Sequence, residues 1–353
     1  MRPPAVLKFA LFLLFSTLGA GQQQHIARVL VYSATTGFRH DSIPTAIEAL
    51  EANAESINSI FESTEDRGRF TDEYLSEFDA VVFLSTTGDV LDESGRAALQ
   101  TYLNSGGNFV GIHSASDCLR NTSFFVRELG ARFDYHADLQ EANLDVIGPP
   151  HPSTEGLPSS WRIRDEMYNF DSDPRSIGAT VILAADESSY VDNGPRRFDH
   201  GTPHPIAWFQ VQGAGVEEGG IAGRSFYTSL GHLNETWEDP VFLSHVLGGI
   251  SWVLQSNTTK ASNLHALVGN PESVPIESSS TTGGGPGSTE TSPTASVLPT
   301  AGDSDECVSS HSNHACHLNQ SFPALLLTEF LHRSFSGLSQ WLHCPRYKAQ
   351  AST

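Results

Sequence analysis

Three histidines, far apart in the chain, each follow an apolar, strand-like run: His40 in SATTGFRHDS, His113 in GGNFVGIHSASD and His232 in GRSFYTSLGHLN. Neutral imidazoles combined with a carboxylate bind zinc or a similar divalent ion, and such a site with an open position activates water or polarises a carbonyl. Without a metal the same groups suit general acid and base work, because histidine titrates near neutral pH. The segment RIRDEMYNF offers the carboxylate. Alternation along a strand would turn Glu166 and Tyr168 to one face, whereas a solvated edge strand would leave Asp165 and Arg164 in surface pairs.

The candidate catalytic groups are therefore His113, His232 and Glu166, and the candidate ligands of a divalent metal are His40, His113 and His232. Each has a plain structural alternative: His40 as a capping or loop residue, His113 as a core histidine bonded to backbone, His232 as an exposed side chain. Asp89, just beyond AVVFLST, is a candidate substrate contact. His200 and His204 flank a Gly-Thr-Pro turn and are expected in a lid over the cleft, with His204 reaching substrate; His136 and His151 read as loop residues. Nucleophilic catalysis is the least supported chemistry. The run GIHSA lacks the second glycine of a nucleophile elbow around Ser114, and Cys118 lies too far along the turn.

These residues need a scaffold that brings distant segments together. Short apolar runs rich in β-branched residues occur at 28–34, 80–86, 108–114, 180–185, 204–211 and 223–230. Helical patterns span 43–58, 91–104 and 240–254; in the last, Val241, His245, Gly248 and Trp252 share one face. Doubly apolar strands alternating with helices predict a mostly parallel sheet covered on both faces, in an α/β sandwich. In such a sheet ligands bind beyond the carboxyl ends of the strands, where His40, His113 and His232 fall. The stretch from about 132 to 204 is less regular and rich in proline turns, as a functional rim or lid would be.

The ends of the 353-residue chain read differently. Residues 1–21 carry Arg2 and Lys8, then FALFLLFSTLGA, and read as a secretory signal peptide; its apolar run of about a dozen residues is short of the roughly 20 a membrane span needs. An extracellular product is expected, and the sequons at Asn121, Asn234, Asn257 and Asn319 suit it as glycosylation sites. The net charge of −21 opposes nucleic acid or an anionic membrane as partner and leaves a neutral carbohydrate or a cation compatible. Cys118 is alone in the globular part, so a disulfide framework is not expected. A domain over 22–256 would be followed by a Ser/Thr/Pro/Gly-rich stalk at 257–305 and a tail at 306–353. That tail, interrupted by Glu329, His332 and Arg333, does not match a lipid-anchor signal.

The ordered combination of VLVYSATTGFRH, GGNFVGIHSASD, DEMYNF, HPIAWFQ and GRSFYTSLGHLNETWEDPVFLSHVLGGISWVL resembles the ThuA-like, or trehalose-utilisation, family over residues 27–255. The resemblance implies a flavodoxin-like three-layer sandwich of the class I glutamine amidotransferase-like type. It also implies a role in the metabolism of disaccharides or oxidised sugar derivatives, and carries His40, His113, Glu166, Tyr168, Arg224 and His232 over as site residues, with Tyr168 and Arg224 orienting substrate. His113 stands where true amidotransferases have a cysteine, and Leu233 follows His232, so thiol-based glutamine hydrolysis is excluded. The expectation is a secreted domain acting on a carbohydrate. The alternative is a non-catalytic sugar-binding module relying on Trp208, Tyr168 and Trp237.

Overall fold

A computed structural model describes residues 25–269. The first half of the chain alternates strand and helix: β1 (Ala27–Tyr32), α1 (Ile43–Ala52), β2 (Ser59–Thr64), α2 (Asp72–Leu75), β3 (Ala80–Leu84), α3 (Glu93–Asn104), β4 (Asn108–Ile112) and α4 (Ser123–Leu129). The middle is mostly strand: β5 (Phe133–His136), β6 (Gln140–Val146), β7 (Ser160–Asp165), β8 (Tyr168–Phe170), β9 (Thr180–Ala185) and β10 (His204–Gln210). The chain closes with β11 (Ser225–Thr228), α5 (Asn234–Glu238) and α6 (Pro240–Leu254).

Nine strands form one sheet in the order β2-β1-β3-β4-β11-β10-β9-β6-β7, and β5 pairs with β8 as a separate two-stranded ribbon. From β2 to β11 the pairings are parallel. From β11 to β7 they are antiparallel. The division follows the sequence: βα units fill the parallel half, because a parallel crossover needs a dozen or more residues, whereas the proline-turned middle connects neighbouring strands directly.

Alternation along β1 shows how both faces are covered. Val29 and Val31 pack with Ala46 and Leu50 of α1 and with Phe242, Val246, Ile250 and Val253 of α6. Leu30 and Tyr32 pack on the other side with Leu99 and Leu103 of α3 and with Phe125 and Leu129 of α4. Each burial is worth roughly 1.5–3 kcal/mol per large apolar side chain. Helix starts are fixed by carboxylates: Asp92 accepts from Gly95 N before α3, and Asp239 accepts from Val241 N with Pro240 at the first turn of α6.

Three expectations shift. The helix expected over 43–58 ends at Ala52 and continues as a 3₁₀ turn, Ala54–Ile57, closed by Asn58 at φ 50°. The edge strand β2, with the sequence SIFEST, is too polar to announce itself. The folded region also extends past 256 into the residues expected to begin the stalk. Thr259 bridges Val268, Val268 and Ala266 are buried, and Lys260 N bonds Asp79 Oδ1 at 3.0 Å. The signal peptide, the rest of the stalk, the tail and Asn319 lie outside the described residues. Asn121 and Asn257 are exposed, and Asn234 is half-buried with Oδ1 accepting from Thr45 Oγ1. Cys118 is buried and unbridged. Among the described residues no helix is long and apolar enough to cross a membrane.

Candidate functional site

The parallel strands deliver their following residues to one edge. His113 opens a 3₁₀ turn directly after β4 with φ 55°, and Ser85 after β3 has φ 47°. Left-handed backbone at a residue other than glycine costs roughly 1–2 kcal/mol and clusters where function requires it. Buried polar side-chain atoms without a hydrogen-bond partner gather here too. Among the described residues these include Ser33, Ser85, Thr86, Ser229 and His232, all within a few residues of the carboxyl end of a parallel strand. Natural proteins keep such groups rare, so their concentration points to a ligand site.

At the centre, His113 Nδ1–H donates to Ser229 O at 2.7 Å, which leaves Nε2 as the bare lone pair. That atom lies 3.0 Å from His40 Nε2, 3.1 Å from the Tyr168 hydroxyl and 3.8 Å from Glu166 Oε2. Burial holds the His113 imidazole far below its ordinary pKa, with His40 adding to the effect. Burial and the nearby His232 likewise push His40 down to about 4. Both imidazoles are neutral at neutral pH. Burial raises the Tyr168 phenol well above its usual value, so it stays protonated and donates.

His232 completes the set. Its Nδ1 is 3.2 Å from Glu166 Oε2, an ion pair whose angle departs from that of a regular hydrogen bond. The Glu166 carboxylate raises the His232 pKa. Burial alone would raise Glu166, but His232, His136 and His40 outweigh it and the carboxyl is held below its usual range. One donor atom from each of His40, His113, Glu166 and His232 falls within 4.8 Å of the others. Around an ion with bonds of about 2.0–2.1 Å, neighbouring ligand atoms sit roughly 3 Å apart, so the His40–His113 and His232–Glu166 spacings suit a zinc-type ion and the longer ones need modest contraction.

The carboxylate is not placed by strand alternation. RIRDEMYNF breaks at Glu166-Met167, where β7 of the large sheet gives way to β8 of the ribbon. The cause is Asp165, fully buried rather than in a surface pair: Oδ1 accepts from Glu166 N at 2.8 Å and Oδ2 from Gly231 N at 2.9 Å. Burial pushes its pKa up to about 6. It ties the Glu166 bend to the turn before His232, where Gly231 takes φ 124°, which a side chain would resist.

A cleft of about 190 Å³ opens over these groups, lined by His40, Ser114, Glu166, Tyr168 and His232 together with Phe38, Thr87, Asp117, Phe133 and His136. His136, which reads as a plain loop residue in the sequence, ends β5 with Nε2 3.5 Å from Glu166 Oε1. Phe38 is 66% exposed at the rim. A larger hollow of about 540 Å³ by Pro149, Pro150 and His151 has none of the converging groups.

Several expected contacts lie elsewhere. Asp89 is exposed and does not line the cleft; Thr87 does. Arg224 precedes β11 whereas the cleft lies beyond its end, so its guanidinium donates to Trp252 O at 2.7 Å and lies 4.6 Å over the Trp252 ring. His204 is buried outside the cleft, its Nε2–H donating to Tyr168 O at 2.8 Å. It faces Glu187, and His200 lies against it, so neither forms a lid over the cleft in this structure. Of the aromatics of the sugar-binding alternative, Tyr168 lines the cleft, whereas Trp208 and Trp237 are fully buried, their indole N–H groups donating to Leu129 O and Gly231 O.

Comparison with known proteins adds the family. The family model described as trehalose utilisation matches residues 28–253. A ThuA-like protein from Bacteroides uniformis superposes with a TM-score of 0.53 at 20% identity, covering 68% of this chain and 96% of its own. One from Parabacteroides merdae gives 0.47 at 20% identity, covering 65% and 90%. No curated protein matches the chain. With the family pattern running through nearly all the folded residues, on a sheet whose parallel strand ends gather its histidines, the chain belongs to the ThuA, or trehalose-utilisation, family.

Proposed function

We propose that the cleft holds a divalent cation of the zinc class on His40, His113, His232 and Glu166, and that the protein is a secreted enzyme acting on a sugar derivative there. The observation that supports this most strongly is the convergence of four donor atoms within 4.8 Å. The bound ion would supply Lewis acidity toward a sugar carbonyl or hydroxyl. The residues around it have distinct tasks. Glu166, held ionised, turns Oε2 to the imidazoles and Oε1 toward His136, so it can accept a proton that His136, whose side chain is 38% exposed, passes to solvent. Tyr168 donates from a phenol that burial keeps protonated. Phe38 and Phe133 offer aromatic walls to the apolar face of a pyranose.

The sugar assignment rests on the family description, and the acidic chain suits a neutral substrate. The test is metal content by mass spectrometry and sugar affinity by calorimetry on the full chain, for wild type, H113A and E166Q. H113A should lose one equivalent of metal and both variants should lose affinity for keto-sugar ligands. Unchanged metal content and unchanged affinity in H113A would overturn the reading.

A further inference from the structure

A second set of donors lies in the 186–203 loop and the start of β10, outside the cleft. His200 and His204 are separated by Gly-Thr-Pro, and their rings lie 4.0 Å apart between centroids. Both imidazoles face one carboxylate oxygen: His204 Nδ1 is 3.1 Å and His200 Nε2 3.8 Å from Glu187 Oε1. One donor atom from each of the three residues falls within 4.8 Å of the others.

The bonding of His204 gives this cluster its meaning. Its Nε2–H is committed to the Tyr168 carbonyl, so on a neutral ring Nδ1 is a lone pair. That Nδ1 lies 3.1 Å from Glu187 Oε1, within hydrogen-bonding distance, so a proton or a cation belongs between the two atoms. The Tyr190 hydroxyl, 3.1 Å from Nδ1, can donate one hydrogen bond to the ring. On the carboxylate the positive charge is Arg196, whose NH1 sits 2.7 Å from Glu187 Oε1 while its side chain is 43% exposed. The carboxylate is thus balanced by a half-exposed arginine. A ligating histidine whose other N–H is anchored on a backbone carbonyl is the usual outer support of a metal site.

We propose that Glu187, His200 and His204 form a second divalent-cation site of the zinc class, with Arg196 as the counter-ion that holds the carboxylate when no metal is bound. The remaining coordination positions belong to water on the Glu187 side, which is partly open. The site braces the first one. Tyr168 gives its carbonyl to His204, and its hydroxyl lies 3.1 Å from His113 Nε2, so fixing His204 fixes the residue that touches the cleft histidine.

Titration of the metal-stripped full chain with zinc, and with cobalt for its visible spectrum, tests this. Wild type should bind two equivalents, E187Q and H200A one each, and H113A one; the double variant H113A/H200A should bind none. The cobalt spectrum left in H200A should be the one missing from H113A. If E187Q and H200A both keep two equivalents, the second site is overturned whatever H113A does. If instead H113A keeps two while H200A loses one, the cleft reading falls and this one stands. Thermal unfolding with and without chelator checks folding: a variant that melts as the chelated wild type does, yet lacks one equivalent, has lost a site rather than its fold.

Discussion

His113 and His245 are both completely buried imidazoles, and β11 serves them from adjacent residues: Ser229 O receives His113, and the Thr228 hydroxyl meets His245. They lie on opposite sides of a functional divide. His245, inside α6, donates from Nδ1 to Ser153 O at 2.9 Å and accepts at Nε2 from Thr228 Oγ1 at 3.0 Å, so both nitrogens are satisfied by groups that do not titrate near neutral pH. His113 is anchored the same way at Nδ1, but its Nε2 opens onto His40, Tyr168 and Glu166. Burial lowers both pKa values. What separates a core histidine from a site histidine here is the company of the second nitrogen, not depth.

That comparison can be broken by exchange. Replacing His113 with alanine should remove the cleft equivalent of metal: losing one of four ligands costs at least about 3–4 kcal/mol of a site worth roughly 10–16 kcal/mol in all, and the three left no longer hold the ion under the conditions of the titration; calorimetry reads this directly. Replacing His245 with alanine should leave metal affinity alone and cost about 3 kcal/mol of stability in chemical denaturation, through the cavity and the stranded Thr228 and Ser153 groups. If H245A lost metal as H113A does, the distinction would collapse.

Glu128 sharpens the contrast, because it is a buried titratable group in the core with an oxygen, Oε1, left unpartnered. Burial raises its pKa to about 7, against which Gly215 N acts weakly. The folded pKa lies above the unfolded one, so stability is full at acid pH. It falls as pH rises from about 4.5 to about 7, while the unfolded chain is ionised and the folded chain is not, and is flat above that. E128Q should remove this slope and gain about 3 kcal/mol at pH 8, with no gain at pH 4. The smallest effect belongs to Ser85, buried at φ 47° with its hydroxyl unpartnered. S85G should stabilise by about 1 kcal/mol in the same measurement. A destabilised S85G would mean that the strand-end strain is absent.

Much of this site is legible in sequence because topology does the placing. His40, His113 and His232 each follow a strand of the parallel half, and those strands are four to six residues long. The residues that escape are those set by pairing across long loops. His136 joins because β5 pairs with β8, a four-residue and a three-residue strand with no alternating pattern of their own. Asp165 looks like any edge carboxylate, since nothing local reveals the Gly231 amide 66 residues away. Arg224 and Asp89 mislead for the converse reason. Both sit near a strand, but Arg224 lies at the amino end of β11 and Asp89 is two residues beyond the rim position that Thr87 takes. His200 and His204 stand out by spacing, but a four-residue interval on a loop does not say which carboxylate it will meet.

The β5–β8 ribbon is a separate piece of sheet, yet it contributes His136 and Tyr168 to the cavity, while the imidazoles beneath come from the main strands and the turns after them. Floor and roof can therefore change independently. Substitutions in the seven-residue ribbon can reshape the opening of the cleft without repacking the nine strands below.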